Sequence, residues 1–172
     1  MLVKNKAVLF AAALTSLIST TMAAQAVILQ ISATGLVLRT TAVTTDEPGN
    51  EQAGLLTDTS GRYFGAVMFP TTDERVCSFA VIFRDNDANN ITARLMKKPF
   101  TFGTNTAFDP PVTMAQVSSA GGNQNTRRAM TTAIAQPLIN TAQAFYYVEL
   151  IVPEGANIEV FGFQINVRPT CA

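Results

Sequence analysis

Residues 76–84 read Val-Cys-Ser-Phe-Ala-Val-Ile-Phe-Arg, a run that leaves neither side of an extended strand polar. Successive side chains of a strand point to opposite faces, so Cys77, Phe79, Val81 and Phe83 would share one side and Val76, Ser78, Ala80 and Ile82 the other. A strand that is apolar on both sides belongs inside a sheet that a second layer covers. The rest of the chain supplies such layers. Short runs rich in Val, Ile, Phe, Tyr and Thr alternate with clusters of Gly, Pro, Asn and Asp, and no long stretch carries helical periodicity. The expected fold is all-β: a jelly-roll or Greek-key β-sandwich of about eight or nine strands.

The pattern predicts strands over residues 27–33, 36–44, 63–69, 76–84, 90–96, 113–119, 127–134, 145–152 and 158–167. Residues 46–61, with Pro48, Gly49, Gly54 and Gly61, read as a surface loop. Residues 85–89 read as the turn of a hairpin that returns strand 76–84 into strand 90–96. Residues 137–144 have room for one helical turn. The last strand is expected to hold Phe161, Phe163, Ile165 and Val167 on one side.

The first 26 residues have a different character. Lys4 and Lys6 precede an apolar run over residues 7–18, and Ala24-Gln25-Ala26 has the small-x-small form that signal peptidase recognises. The run is short for a bilayer span. These features predict a cleaved signal peptide over residues 1–26, a single β-sandwich domain over residues 27–172, and an exported protein, periplasmic or extracellular. No later apolar stretch approaches spanning length, so no membrane span is expected in the mature chain.

In an oxidising compartment the two cysteines, Cys77 and Cys171, are expected to form a disulfide. Cys77 opens its strand and Cys171 follows the last one, so the bond would suit two antiparallel neighbours near one end of the sandwich, with the strands around Phe79 and Phe163 close together, either side by side or facing across the core.

Composition removes several chemistries. The chain has no histidine, so a Ser-His-Asp or Cys-His relay cannot be built and the commonest zinc ligand is missing. Lys and Arg number 12 against 12 Asp and Glu, a balance that lacks the basic excess of a nucleic-acid partner. An enzyme would depend on carboxylates drawn from Asp85, Asp87, Glu149 and Glu159, acting as general acid and base. Glu149 and Glu159 alternate with apolar strand residues and read more simply as outward charge. No catalytic residue is assigned.

Residues 85–90, Asp-Asn-Asp-Ala-Asn-Asn, are the densest set of hard oxygen ligands. Asp85, Asp87 and Asn89 resemble the opening of a calcium loop, while Asn90 and Met96 occupy the places where an EF-hand needs glycine and glutamate. A calcium site at a sandwich rim is one reading of this cluster. A turn in which Asp and Asn side chains bond their own backbone is the other. Asn90-Ile91-Thr92 fits a glycosylation sequon. Lys97-Lys98 and Arg127-Arg128 read as solvated basic pairs that an anionic glycan could use. Tyr63, Tyr146 and Tyr147 could stack on sugar rings, although aromatics in strand patterns more often fill a core.

The succession Asp85-Asn86-Asp87, Thr92-Ala93-Arg94-Leu95, Met114-Ala115-Gln116-Val117-Ser118-Ser119, Tyr146-Tyr147-Val148 and Phe161-Gly162-Phe163-Gln164-Ile165 resembles a β-sandwich segment that recurs in uncharacterised secreted bacterial proteins. The likeness spans residues 76–168. It implies an extracellular sandwich and transfers no catalytic or binding residue.

These observations describe an exported, non-enzymatic β-sandwich with a structural or adhesive role at the cell envelope or matrix, its partner an extracellular glycan or an envelope protein. A calcium-assisted carbohydrate-binding module is one alternative. A self-assembling surface subunit, pairing through strand 27–33, is another. A carboxylate-dependent glycan hydrolase is the residual enzymatic option.

Overall fold

The computed structural model describes residues 26–39, 50–51, 54–57, 60–86, 88–100, 109–154 and 158–171. The predicted signal peptide lies outside them, apart from Ala26. Eleven strands are described: β1 (Val27–Ser32), β2 (Val37–Arg39), β3 (Asn50–Glu51), β4 (Gly54–Thr57), β5 (Gly61–Val67), β6 (Arg75–Asp85), β7 (Thr92–Pro99), β8 (Val112–Ser118), β9 (Asn123–Thr131), β10 (Ala144–Val152) and β11 (Ile158–Arg168). Eight of them have six residues or more, and these carry the expected sandwich.

The strands form two antiparallel sheets. One has the order β3-β4-β11-β6-β9, with β1 also paired to β11, and the other has the order β2-β5-β10-β7-β8. The chain passes from one sheet to the other at most of its connections, the habit of a jelly roll. Inward residues of both sheets make one core, in which Tyr63, Phe79, Leu95, Leu150, Phe163 and Ile165 are almost completely buried. The doubly apolar run becomes β6, held between β11 and β9. Phe79 and Phe163 stack within this sheet with ring centroids 6.1 Å apart. No described helix is long and apolar enough to cross a membrane.

Several expectations need correction. Residues 85–90 do not close a hairpin: β6 pairs with β11 and β9, whereas β7 pairs with β10 and β8 in the opposite sheet. The segment crosses the end of the sandwich. Part of the expected loop 46–61 is extended, because β4 lies against β11 and β3 folds back on β4. Residues 141–143 form a turn, and Leu138 makes an isolated bridge to Arg75, so residues 137–144 contain no helical turn.

Two β-bulges between β6 and β11 redistribute side chains. Val160 pairs with Phe83 and Gly162 with Ile82, which makes Phe161 the extra residue. A bulge reverses the in-out alternation beyond it. Ile158 and Val160 therefore join Phe163, Ile165 and Val167 in the core, and Phe161 is displaced to the outer face, where the Arg84 guanidinium lies 5.7 Å from its ring centre. The second bulge falls at Cys77, since Asn166 pairs with Ser78 and Val167 with Val76. Val76 takes the core position, and Cys77 turns toward Cys171. The two half-cystines form the predicted disulfide with 5.2 Å between Cα atoms, ordinary for such a bond.

Gly162 is required by close approach. A Cβ there would sit 2.4 Å from the carbonyl oxygen of Ile31, on the strand that lines this edge of β11. The glycine lets β1 pair with β11 over Val27–Ser32.

Candidate functional site

The outer face of the five-stranded sheet follows from its register. In β10, Ala144, Tyr146, Val148, Leu150 and Val152 point inward and are buried, so Phe145, Tyr147, Glu149 and Ile151 point out. Directly opposite them on β7 lie Lys98, Met96, Arg94 and Thr92. On the other side, β5 places Ala66 opposite Tyr147, Phe64 opposite Glu149 and Arg62 opposite Ile151. One end of this face is therefore aromatic and the other ionic.

At the aromatic end is an open groove of about 600 Å³. Its outer wall is formed by Phe64, Ala66, Met68, Lys98, Phe145 and Tyr147. Phe145 is 62% exposed and Met68 88%, unusual exposure for side chains of this size carried on or beside a strand. Phe145 leans on Phe100, ring centroids 4.7 Å apart, and Phe64 on Tyr147 at 5.8 Å. The rings are thus braced by one another on rigid strands. Lys98 is the charged residue of the lining, and Thr141 adds a hydroxyl.

At the ionic end, Glu149 is held between two strands. Arg62 Nη2 lies 2.7 Å from one carboxylate oxygen, and Arg94 Nη1 donates to the other at 3.4 Å. Arg94 Nε also donates to the Gln116 side chain at 2.8 Å. The Glu149 side chain is only 4% exposed. The charge points outward, as the alternation along β10 predicts, and the flanking arginines cover it.

The tyrosines separate. Tyr63 is fully buried, and Tyr146 packs edge-on against Phe69, centroids 4.9 Å apart, on the core side of the groove. The Tyr146 hydroxyl accepts the backbone N–H of Asn140 at 2.8 Å. Burial raises its pKa above the usual 10.0, opposed by that hydrogen bond. Only Tyr147 of the three reaches the outer wall. Phe64, Phe145 and Met68 were not singled out from the sequence. The signal was available in Phe145-Tyr146-Tyr147, because three consecutive aromatics on one strand cannot all face the core.

The proposed calcium ligands are not brought into one described set. Asp85 is completely buried at the end of β6, Asn89 is exposed in the crossing segment, and Asp87 lies outside the described residues. Among the described residues no three His, Cys, Asp or Glu side chains converge as a metal site. Asn90 is engaged structurally: its Oδ1 accepts from the Gly121 N–H at 3.2 Å and lies 3.4 Å from the Ser119 hydroxyl. Ser119 Oγ in turn accepts the Ile91 N–H at 3.0 Å, so this cluster ties the crossing segment to the β8–β9 loop.

The strand glutamates occupy opposite outer faces of the sandwich. Glu149 is on β10, and Glu159 is on β11 of the other sheet, 3.0 Å from Arg84. They cannot act as an acid and base on one bond.

No protein-family model and no curated protein matches the chain. Solved structures that resemble it include two carbohydrate-binding modules. One is a carbohydrate-binding module CBM36 in complex with calcium and xylotriose, 10% identical, with a TM-score of 0.46 over 80% of this chain and 98% of that one. The other is the CBM36-1 domain of a multidomain xylanase from the hindgut metagenome of Trinervitermes trinervoides, 11% identical, with a TM-score of 0.47 over 82% of this chain and 96% of that one.

Proposed function

We propose that the protein is a non-catalytic binding module of the cell exterior and that the groove between β5 and the start of β10 takes a saccharide. The observation that carries this reading is the exposed Phe145 ring, braced by Phe100 and sharing one groove wall with Tyr147 and Phe64. A sugar ring has one apolar face and a polar circumference. It can lay that face on an aromatic side chain while its hydroxyls stay hydrated along an open groove. The groove volume of about 600 Å³ falls in the usual range for small ligands, about 300–1,000 Å³. Strand-borne rings already fixed by their neighbours lose little freedom on binding.

The test is a glycan array followed by calorimetric titration of the strongest hit, with wild-type protein and Phe145→Ala, each with calcium and with chelator. Binding should fall at least about tenfold in Phe145→Ala, as expected when an aromatic anchor is truncated. The melting temperature should hold, because the ring is largely exposed. An array blank in both calcium and chelator would sink the saccharide reading. A hit that appears only with calcium would direct attention to Asp85, Asp87 and Asn89.

A further inference from the structure

We infer that the saccharide is anionic, an oligosaccharide bearing carboxylate or sulfate groups that runs along β7 and β10 from the groove toward Arg94. This rests on the saccharide reading above and adds the charge of the ligand. Among the residues whose side chains are described, the outer face of the five-stranded sheet carries three cations, Arg62, Arg94 and Lys98, against one carboxylate, Glu149. Its field is therefore positive although the chain as a whole is balanced at 12 basic and 12 acidic residues. Lys98 is the Cα partner of Phe145, so a ring stacked on Phe145 would bring its substituents beside the ammonium group. Four residues separate Lys98 from Arg94 along β7, a rise of about 13 Å, enough for successive sugar units to meet a cation at each end.

The chemistry at both ends suits an anion. An ammonium group has three donors, and a guanidinium has five in a planar fork that fits a carboxylate or a sulfate. Glu149 takes one oxygen contact from each arginine, and the Arg62 side chain is still 57% exposed. Single-stranded nucleic acid also combines stacking with phosphate contacts, but its binders carry a basic excess that this chain lacks.

The experiment compares uronic-acid, sulfated and neutral oligosaccharides on one array, then titrates the strongest acidic hit with wild-type protein and Lys98→Gln at low and high salt. Hits should concentrate on the acidic members, and the carboxylate and sulfate arms identify which group is read. Lys98→Gln should weaken the acidic ligand about fivefold to tenfold at low salt and leave the melting temperature unchanged, and added salt should narrow the difference. Neutral members bound as tightly as acidic ones would overturn this inference while leaving the saccharide reading intact. Unchanged acidic binding in Lys98→Gln would also overturn it, as would equal binding of a single-stranded oligonucleotide. A wholly blank array would remove both readings.

Discussion

The pair β6–β11 in the six-stranded sheet and the pair β5–β10 in the other are built from similar material, yet their tolerances differ. Along β6 and β11 lie the disulfide, the stacked Phe79 and Phe163, and a glycine whose missing side chain makes room for the backbone of β1. Along β5 and β10 lie the exposed rings and the arginine-flanked glutamate. The glycines make the contrast concrete. At Gly162 a new Cβ would meet a carbonyl oxygen at 2.4 Å, whereas at Gly65 it would meet Leu36 Cδ2 at 2.6 Å, the far end of a side chain that can turn. One sheet is constrained by backbone and covalent geometry. The other is constrained by side chains, which leaves its outer face open to chemical elaboration.

Breaking the disulfide should give the largest effect. The bond links positions 94 residues apart, and in the chain-entropy model such a loop contributes about 4–5 kcal/mol. The double substitution Cys77→Ser, Cys171→Ser should lower the urea midpoint accordingly, and an unchanged midpoint would deny the bond its role as a staple. Gly162→Ala comes next, at about 2–3 kcal/mol, because overpacking against backbone forces β1 to shift. Gly65→Ala should cost under about 1 kcal/mol, since rotation of Leu36 relieves the contact. Equal losses at the two glycines, measured by the same urea titrations, would remove the distinction between the sheets.

Sequence reading captured what depends on local alternation. The apolar rows of residues 76–84 and 145–152 appear as β6 and β10, and the cysteine placement brings the strands around Phe79 and Phe163 together, of which the structure selects the side-by-side arrangement of β6 and β11. It failed where a distant segment decides. Asp and Asn favour a turn whether the next strand pairs with the last or crosses to the other sheet, so residues 85–90 looked like a hairpin. The bulges at Cys77 and Phe161 are set by register against a partner strand, which no run of residues announces by itself. Residues 50–51 and 54–57 are too short to read as strands, and become so because 54–57 lies along the edge of β11 and 50–51 folds back on 54–57. Alternation gives the outward direction of Glu149 but not its cover, because Arg62 and Arg94 lie 87 and 55 positions away in the chain. The groove is not legible because alternation puts Phe145 on the outer side of β10 without showing that the ring stays uncovered.

Glu149→Gln probes the ionic end of the five-stranded sheet and should cost no more stability than a change of about the Gly65→Ala size. Removing the charge takes away the electrostatic part of two arginine contacts, while the amide keeps the shape and one acceptor oxygen. The more exposed Arg62 is screened by water, so the pair is worth much less than a buried one, and a cost of about 1 kcal/mol is expected. The same change leaves Arg62 and Arg94 without their counter-charge on an otherwise cationic face. Affinity for an acidic oligosaccharide should therefore rise by about twofold to fivefold at low salt and converge on wild type at high salt. A neutral ligand should bind the variant as it binds wild type. If acidic binding instead falls in Glu149→Gln while the fold is retained, the carboxylate positions the arginines for the ligand more than it competes with it, and the ionic end of this sheet is as geometrically constrained as the Gly162 edge of the other.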